Sequence, residues 1–259
     1  MRVLSVVHHL DAAAGVFEEP ALAAGHELVA WLPHESPPPA LDGFDAAIVF
    51  GGEAQVDEED AYPWLRPEKD LVAELLQREV PLLGVCLGSQ LVADVAGAVV
   101  RRAAAPEIGW HEIELTPEGA NDPVLGFLPA RFESFGWHYY EWLLPPGAVE
   151  LARSAACLQA FRLDGRSGTG NGRGRRPLPG TGNGRGRRPL PVWGIQFHPE
   201  VTLSDLESWV DHWEVDLIAD GLDPEAIRAE SAAKIEAWNG VGRGISERFL
   251  EVAAGALAR

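Results

Sequence analysis

A chain of 259 residues, 46% of them hydrophobic, is long enough to bury one sizeable α/β core and does not demand a second full domain. Its formal net charge of −18 gives an acidic surface that repels phosphate backbones, which argues against a nucleic-acid partner. There is no charged-then-apolar leader and no apolar run of about 18 residues to span a bilayer, so no membrane association and a cytoplasmic setting are expected. The only cysteines are Cys86 and Cys157, too few for a disulfide framework, so their sulfur is read as reactive or buried. Cys157, between Ala156 and Leu158, reads as a small core residue.

Taken in order, Arg2 to His8 predicts a first parallel strand, followed by a short helix around Phe17 to Ala24 that Gly25 ends. His26 to Trp31 and the wholly apolar Ala46 to Phe50 are further strands, the latter stopping at Gly51-Gly52 before an acidic loop. Pro67 to Arg78 is an amphipathic helix with Leu71, Leu75 and Leu76 on the core face and Glu68, Lys69, Asp70, Glu74 and Arg78 on the other. Val80 to Val85 is a buried strand, and the helical spacing of Leu91, Val92, Val95 and Ala96 follows it. Such alternation implies a parallel sheet covered on both faces.

From Val99 the pattern changes to short alternating strands, at 99–102, 111–115, 131–135, 149–154 and 158–163, which predict an antiparallel extension. Leu203 to Ala219 and Pro224 to Ala254 predict a C-terminal helical cap, the second helix broken near Asn239-Gly240, with Trp209, Trp213 and Trp238 as apolar anchors. The expected architecture is a flavodoxin-like three-layer sandwich, with residues 1–220 as the main unit and 221–259 as a helical extension. One insertion, at 166–191, interrupts it: GTGNGRGRRPLP at 168–179 is repeated without change at 180–191. Rich in Gly, Arg and Pro, this repeat cannot bury enough surface to offset its ordering entropy, so a flexible loop is expected. Its six arginines mean that the net charge understates the acidity of the rest.

Cys86 lies on the turn between the Val80 strand and the following helix, in Gly84-Val85-Cys86-Leu87-Gly88. This is the form of a nucleophile elbow carrying Cys where many hydrolases carry Ser. Glycine two residues to either side lets strand and helix approach closely, and the sulfur sits at the positive end of a helix dipole, where a thiolate is favoured. Downstream, Val192 to Phe197 reads as a strand ending in His198-Pro199-Glu200. A thiol nucleophile needs a base that takes its proton and returns it to the leaving group, and the base needs an orienting carboxylate. Cys86, His198 and Glu200 supply those three roles, and strand ends of one parallel sheet can bring them together. The other histidines (His8, His9, His26, His34, His111 and His212) show no metal spacing and read as surface or core residues, and no metal or cofactor is expected.

The GVCLGSQ and GIQFHPE segments together resemble the class I (triad) glutamine amidotransferases. With GGEAQVDEEDAYPWLRPEKD, PEIGWHEIELT, LPPGAVELA and LQAFR, the chain looks similar to stand-alone members related to the amidotransferase domain of GMP synthase, over residues 1–215 less the insertion. The resemblance implies that Cys86 attacks the side-chain amide of glutamine to give a γ-glutamyl thioester and ammonia, with His198 as base and Glu200 orienting it. It also implies that the amides of Gly52 and Leu87 form the oxyanion hole and that Gln90 holds the substrate. Relatives commonly carry a His-Gly-Asp-like segment where this chain has His138-Tyr139-Tyr140, so these three are candidate substrate contacts with an altered pocket. Three readings follow: an amidotransferase or glutaminase whose synthetase or ammonia acceptor is another chain, a γ-glutamyl hydrolase acting on a substituted amide, or a catalytically silent regulatory protein. The intact Cys86, His198 and Glu200 weigh against the third.

Overall fold

The computed structural model describes residues 1–8, 14–163 and 192–257. In these residues one sheet is built from β1 (Arg2–Val6), β2 (Glu27–Trp31), β3 (Ala46–Val49), β4 (Leu82–Val85), β5 (Val100–Leu115), β6 (Arg131–Trp142), β7 (Ala148–Arg153), β8 (Leu158–Leu163) and β9 (Val192–Ile195). The helices are α1 (Glu18–Ala23), α2 (Leu65–Gln77), α3 (Leu87–Val95), α4 (Leu203–His212), α5 (Glu214–Ala219) and α6 (Pro224–Leu257). The strand order is β2-β1-β3-β4-β9-β8-β7-β5-β6. The first five are parallel, and the pairs from β9 through β6 are antiparallel. The fold is thus mixed α/β, with the parallel half and antiparallel extension the sequence predicts.

Strands β3, β4 and β9 are apolar throughout because both faces of the sheet are covered. Alternate side chains go to opposite faces. Val3, Ile48 and Leu83 pack with Phe17, Ile235, Trp238 and Phe249, whereas Leu4, Val49 and Leu82 pack with Leu71, Leu75, Leu91 and Val92. One helical layer is therefore α1 with α4 and α6, and the other is α2 with α3. Helix α6 covers the first core, as the C-terminal helical cap the sequence predicts.

Five expectations are corrected by the packing. The segments 99–102 and 111–115 belong to a single strand, β5, with a register shift between Arg102 and Glu107; Pro106 is accommodated at this irregularity, where a missing N–H is tolerated. Strand β6 likewise runs on to Trp142, so His138, Tyr139 and Tyr140 are strand residues. The 203–219 helix is divided at Trp213, but α6 is unbroken at Asn239-Gly240. A mid-helix glycine costs roughly 1 kcal/mol in helix propensity, and the burial of Trp238, Ile245 and Phe249 on the same helix offsets it. Finally, Glu68 and Lys69 are buried rather than solvated. Lys69 Nζ reaches Glu59 Oε1 at 2.7 Å and Asp94 Oδ2 at 3.2 Å, and Glu68 meets His8. The duplicated repeat and its expected flexibility lie outside the described residues.

Candidate active site

The turn from β4 to α3 carries the nucleophile candidate. Cys86 has φ 49° and ψ −109°, a conformation L-residues rarely adopt and one that typically costs about 1–3 kcal/mol. It is held there by contacts only glycine permits. A Cβ on Gly88 would lie 2.0 Å from the Val49 carbonyl oxygen, and one on Gly84 would lie 2.5 Å from the Gly88 oxygen. The Cys86 N–H donates to Ile195 O at 2.8 Å, which ties the turn to β9 and hence to the His198 segment. The thiol donates to the Trp137 carbonyl at 3.7 Å and accepts from Gln196 Nε2 at 3.7 Å.

His198 lies three residues past β9, and its Nδ1 is 2.7 Å from Glu200 Oε1 with both side chains buried. The turn is braced from several sides. The His198 N–H donates to Phe135 O at 2.9 Å, the Trp238 indole donates to His198 O at 2.8 Å, and Val16 N–H donates to Glu200 O at 2.8 Å. Gly242 of α6 passes so near that a Cβ there would be 1.9 Å from Pro199 O, and the Trp209 ring meets the imidazole edge-on at 4.9 Å. Burial pulls the His198 pKa down, but the Glu200 charge, then Cys86, together with hydrogen bonds to both, more than offset this and raise it to about 10. An imidazole so poised stores a proton close to the sulfur and can release it to a basic leaving group.

Gly51-Gly52 follows β3 and is confined between two histidines. A Cβ on Gly51 would come 2.8 Å from His198 Cε1, and one on Gly52 2.8 Å from His8 Cγ. Leu87 is the first residue of α3, where a backbone N–H has no intrahelical acceptor. Both Gly52 and Leu87 line the same cleft as Cys86, a cavity of about 540 Å³.

Its walls also include Gln90, His138 and Tyr139. Gln90 is buried and donates to Gln196 Oε1 at 3.4 Å. Tyr139 shares the cleft-facing side of β6 with Trp137, and its hydroxyl donates to Asp220 Oδ2 at 2.6 Å. Tyr140 does not line the cleft; its phenol reaches Asp57 Oδ2 at 3.4 Å. The sequence reading missed His8, His34 and His212, which line the cleft, together with Tyr62, Trp64, Trp137, Trp209 and Trp213. His8 had a signal: it follows β1 at the edge of the sheet where Cys86 and His198 also stand. The aromatic residues had none, because they converge from separate elements.

Behind His138, Glu107 and Cys157 complete a polar cluster. Glu107, His138 and Cys157 offer atoms within 4.8 Å of one another, a donor set able to hold a metal that no sequence spacing announces. Instead of packing in the core, the half-buried Cys157 donates to Glu107 Oε2 at 3.1 Å, and Gln159 Nε2 donates to the same oxygen at 2.7 Å. Burial would raise the Glu107 pKa, but the neighbouring His138, Cys157 and Ser154 overcome it and lower it to about 2. Burial, and then the ionised Glu107 carboxylate, push the Cys157 thiol well up, so without an ion this sulfur stays protonated. His138 is oriented by Nδ1 donating to Tyr140 O at 3.0 Å, with Nε2 3.5 Å from Glu107.

A strained cysteine elbow and a buried His-Glu pair beside one cleft define a cysteine-elbow α/β protein. Residues 23–156 match the sequence profile of glutamine amidotransferase class-I. The chain is 30% identical to the glutamine amidotransferase-like protein YfeJ of Salmonella typhimurium over 92% of its own length and 91% of that protein. It is 29% identical to a glutamine-hydrolyzing GMP synthase subunit of Saccharolobus solfataricus over 66% of this chain and 74% of the relative. A gamma-glutamyl-L-1-hydroxyisopropylamide hydrolase from a Pseudomonas species is 25% identical over 81% of this chain and 65% of that one. The crystal structure of a glutamine amidotransferase from Thermotoga maritima superposes with a TM-score of 0.78 at 26% identity, covering 97% of this chain and 98% of that one. The chain belongs to the class-I glutamine amidotransferase family. Among the described residues no helix is long and apolar enough to cross a membrane.

Proposed function

We propose that this protein cleaves the γ-carboxamide of glutamine or of a related γ-glutamyl amide through a thioester on Cys86. The observation that carries the reading is the buried His198–Glu200 pair, 2.7 Å apart, held against a cysteine whose backbone is strained into the elbow conformation. The Cys86 thiolate attacks the γ-carbonyl carbon, and the carbonyl electron pair moves to oxygen. The amides of Gly52 and Leu87 donate to that oxyanion, and each such donor is typically worth about 2.7–4 kcal/mol in the transition state. Collapse breaks the C–N bond as His198 gives its proton to the departing nitrogen. Water then attacks the thioester, His198 takes a proton from it, and glutamate leaves as the sulfur is regenerated. Glu200 keeps the imidazole oriented and supports its charged form. Gln90, His138 and Tyr139 line the cleft where the glutamyl portion would bind, whereas Tyr140 lies outside it against Asp57.

Two destinations for the nitrogen remain within this chemistry. In the amidotransferase reading it is ammonia passed to a synthetase on another chain, as the GMP synthase relatives suggest. In the second reading it is a substituted amine. The cleft favours giving this second reading weight: about 540 Å³ lined by Tyr62, Trp64, Trp137, Trp209 and Trp213 falls in the size range that encloses ligands much larger than glutamine. A panel of glutamine, γ-glutamyl peptides and γ-glutamyl anilides, with ammonia, amine and glutamate all measured, separates them. Ammonia from glutamine is expected in the first reading, and amine release exceeding glutaminase activity in the second. Release of neither, with candidate synthetases present, contradicts both.

A further inference from the structure

Beside the cleft, one buried ion pair is not used by the mechanism above. His8, at the end of the first strand, places Nδ1 2.8 Å from the Gly51 carbonyl oxygen and Nε2 2.9 and 3.0 Å from the two oxygens of Glu68. Both side chains are almost wholly buried, at 2% and 0% exposure. The protonation state follows from the partners. A backbone carbonyl only accepts, so Nδ1 must carry a proton. The near-equal distances from Nε2 to both Glu68 oxygens describe one N–H shared by a carboxylate, so Nε2 carries a proton too. With both nitrogens protonated, His8 in this arrangement is an imidazolium paired with the Glu68 carboxylate, the state the spectrum described below tests. Burial lowers its pKa, and the Glu68 charge, with hydrogen bonds to Glu68 and Gly51 and the more distant Glu53, raises it above the ordinary histidine value. The charged groups facing it are Glu68 of α2 and Glu53 of the loop after β3, both acidic, and Trp64 lies against the ring at 5.0 Å.

The carbonyl that His8 grips belongs to the same peptide as the Gly52 N–H. That peptide is trans, so its N–H points opposite to its C=O, away from His8. A cation donating to the carbonyl oxygen draws electron density toward it and leaves the N–H a stronger donor, as hydrogen bonds in series do. It also fixes the plane of a Gly-Gly peptide that lacks side chains to hold it. We propose that His8, kept as an imidazolium by Glu68, is a positioning residue that locks and polarises the Gly51–Gly52 peptide so that the Gly52 amide is aimed and strengthened as an oxyanion donor. The proposal rests on the reading of Gly52 as part of the oxyanion hole. It also accounts for a fully buried glutamate on what looks, in sequence, like the polar face of α2.

Glu68→Gln is the informative variant, because neutral His8 can still donate Nδ1–H to Gly51 O while Nε2 accepts from the new amide. Removing the Glu68 charge lowers the His8 pKa. With glutamine or the best γ-glutamyl amide as substrate, kcat is expected to fall about tenfold, part of what losing one oxyanion donor costs, with KM changed less than twofold. The alkaline limb of the kcat profile is expected to move to lower pH, because the imidazolium is lost earlier as pH rises. Alkylation of Cys86 by iodoacetamide, a displacement that forms no oxyanion, is expected to stay within twofold of wild type. Equal losses in turnover and alkylation, or an unmoved alkaline limb, would overturn the proposal. Because His8→Gln leaves Glu68 buried without its cation and can impair folding, the second measurement uses the wild-type protein. Its ¹⁵N spectrum at pH 7 is expected to show both His8 ring nitrogens protonated, and a neutral ring would overturn the proposal. Should wild type turn over no γ-glutamyl compound, the catalytic reading fails, while the spectrum still decides the state of His8.

Discussion

Serine at position 86 is expected to lower kcat/KM for a γ-glutamyl amide by about 10³-fold or more while leaving the fold intact. The replacement swaps one chalcogen for another in a buried site, so neither the elbow conformation nor the Cys86 N–H bond to Ile195 O should change. The chemistry changes far more. A hydroxyl is a much weaker nucleophile at neutral pH, and the raised proton affinity of His198 depends partly on the charge of the sulfur beside it. With serine that contribution disappears, so the base is altered together with the nucleophile. Steady-state kinetics with thermal unfolding as a control measure this; unchanged turnover would mean that the γ-glutamyl chemistry lies elsewhere.

Gly88→Ala is expected to do the reverse, breaking the architecture before any chemistry is reached. The added Cβ would lie 2.0 Å from Val49 O and 2.7 Å from Val49 C, and these obstructing atoms are backbone in a central strand. Relief requires α3 to move off β3, which lengthens the Gly88 N–H to Phe50 O bond of 3.2 Å and shifts Cys86. Overpacking of this kind costs about 3 kcal/mol or more when rigid backbone must give way. At this chain length that corresponds to a fall in Tm of roughly 6–12 °C. Gly240→Ala serves as the contrast: it sits within α6 with nothing within 4 Å of the new Cβ. There the gain in helix propensity, up to about 1 kcal/mol, is expected to leave Tm unchanged or slightly higher. Similar shifts for both variants would show that the close approach at the elbow is not what holds Cys86 in place.

These contrasts also indicate what a single sequence discloses. The elbow was legible because its requirements are local: an apolar strand, a turn with glycine at both flanks, and a helical repeat of Leu91, Val92 and Val95. The His198-Pro199-Glu200 turn was legible for the same reason, as both partners lie within three residues. What escaped depends on distant chain. Glu68 follows the polar periodicity of α2, and only the return of β1 brings His8 to it across 60 residues. The unbroken course of α6 past Asn239-Gly240 is decided by Trp238 donating to His198 O and by the close passage of Gly242 over Pro199. Local propensity favours an interruption there, and tertiary contact prevails. The two tyrosines are alike in sequence, yet Tyr139 lines the cleft and Tyr140 does not.

Whether Cys86 forms a γ-glutamyl thioester is decided by acid-quenching the protein during turnover of a γ-glutamyl anilide and mapping the acyl group by mass spectrometry. One γ-glutamyl group is expected on the peptide containing Cys86, labile to hydroxylamine, absent in the Cys86→Ser variant, and decaying at a rate compatible with turnover. Turnover with no adduct on Cys86 under conditions that trap the intermediate, or an adduct on Cys157 instead, would contradict the thioester reading.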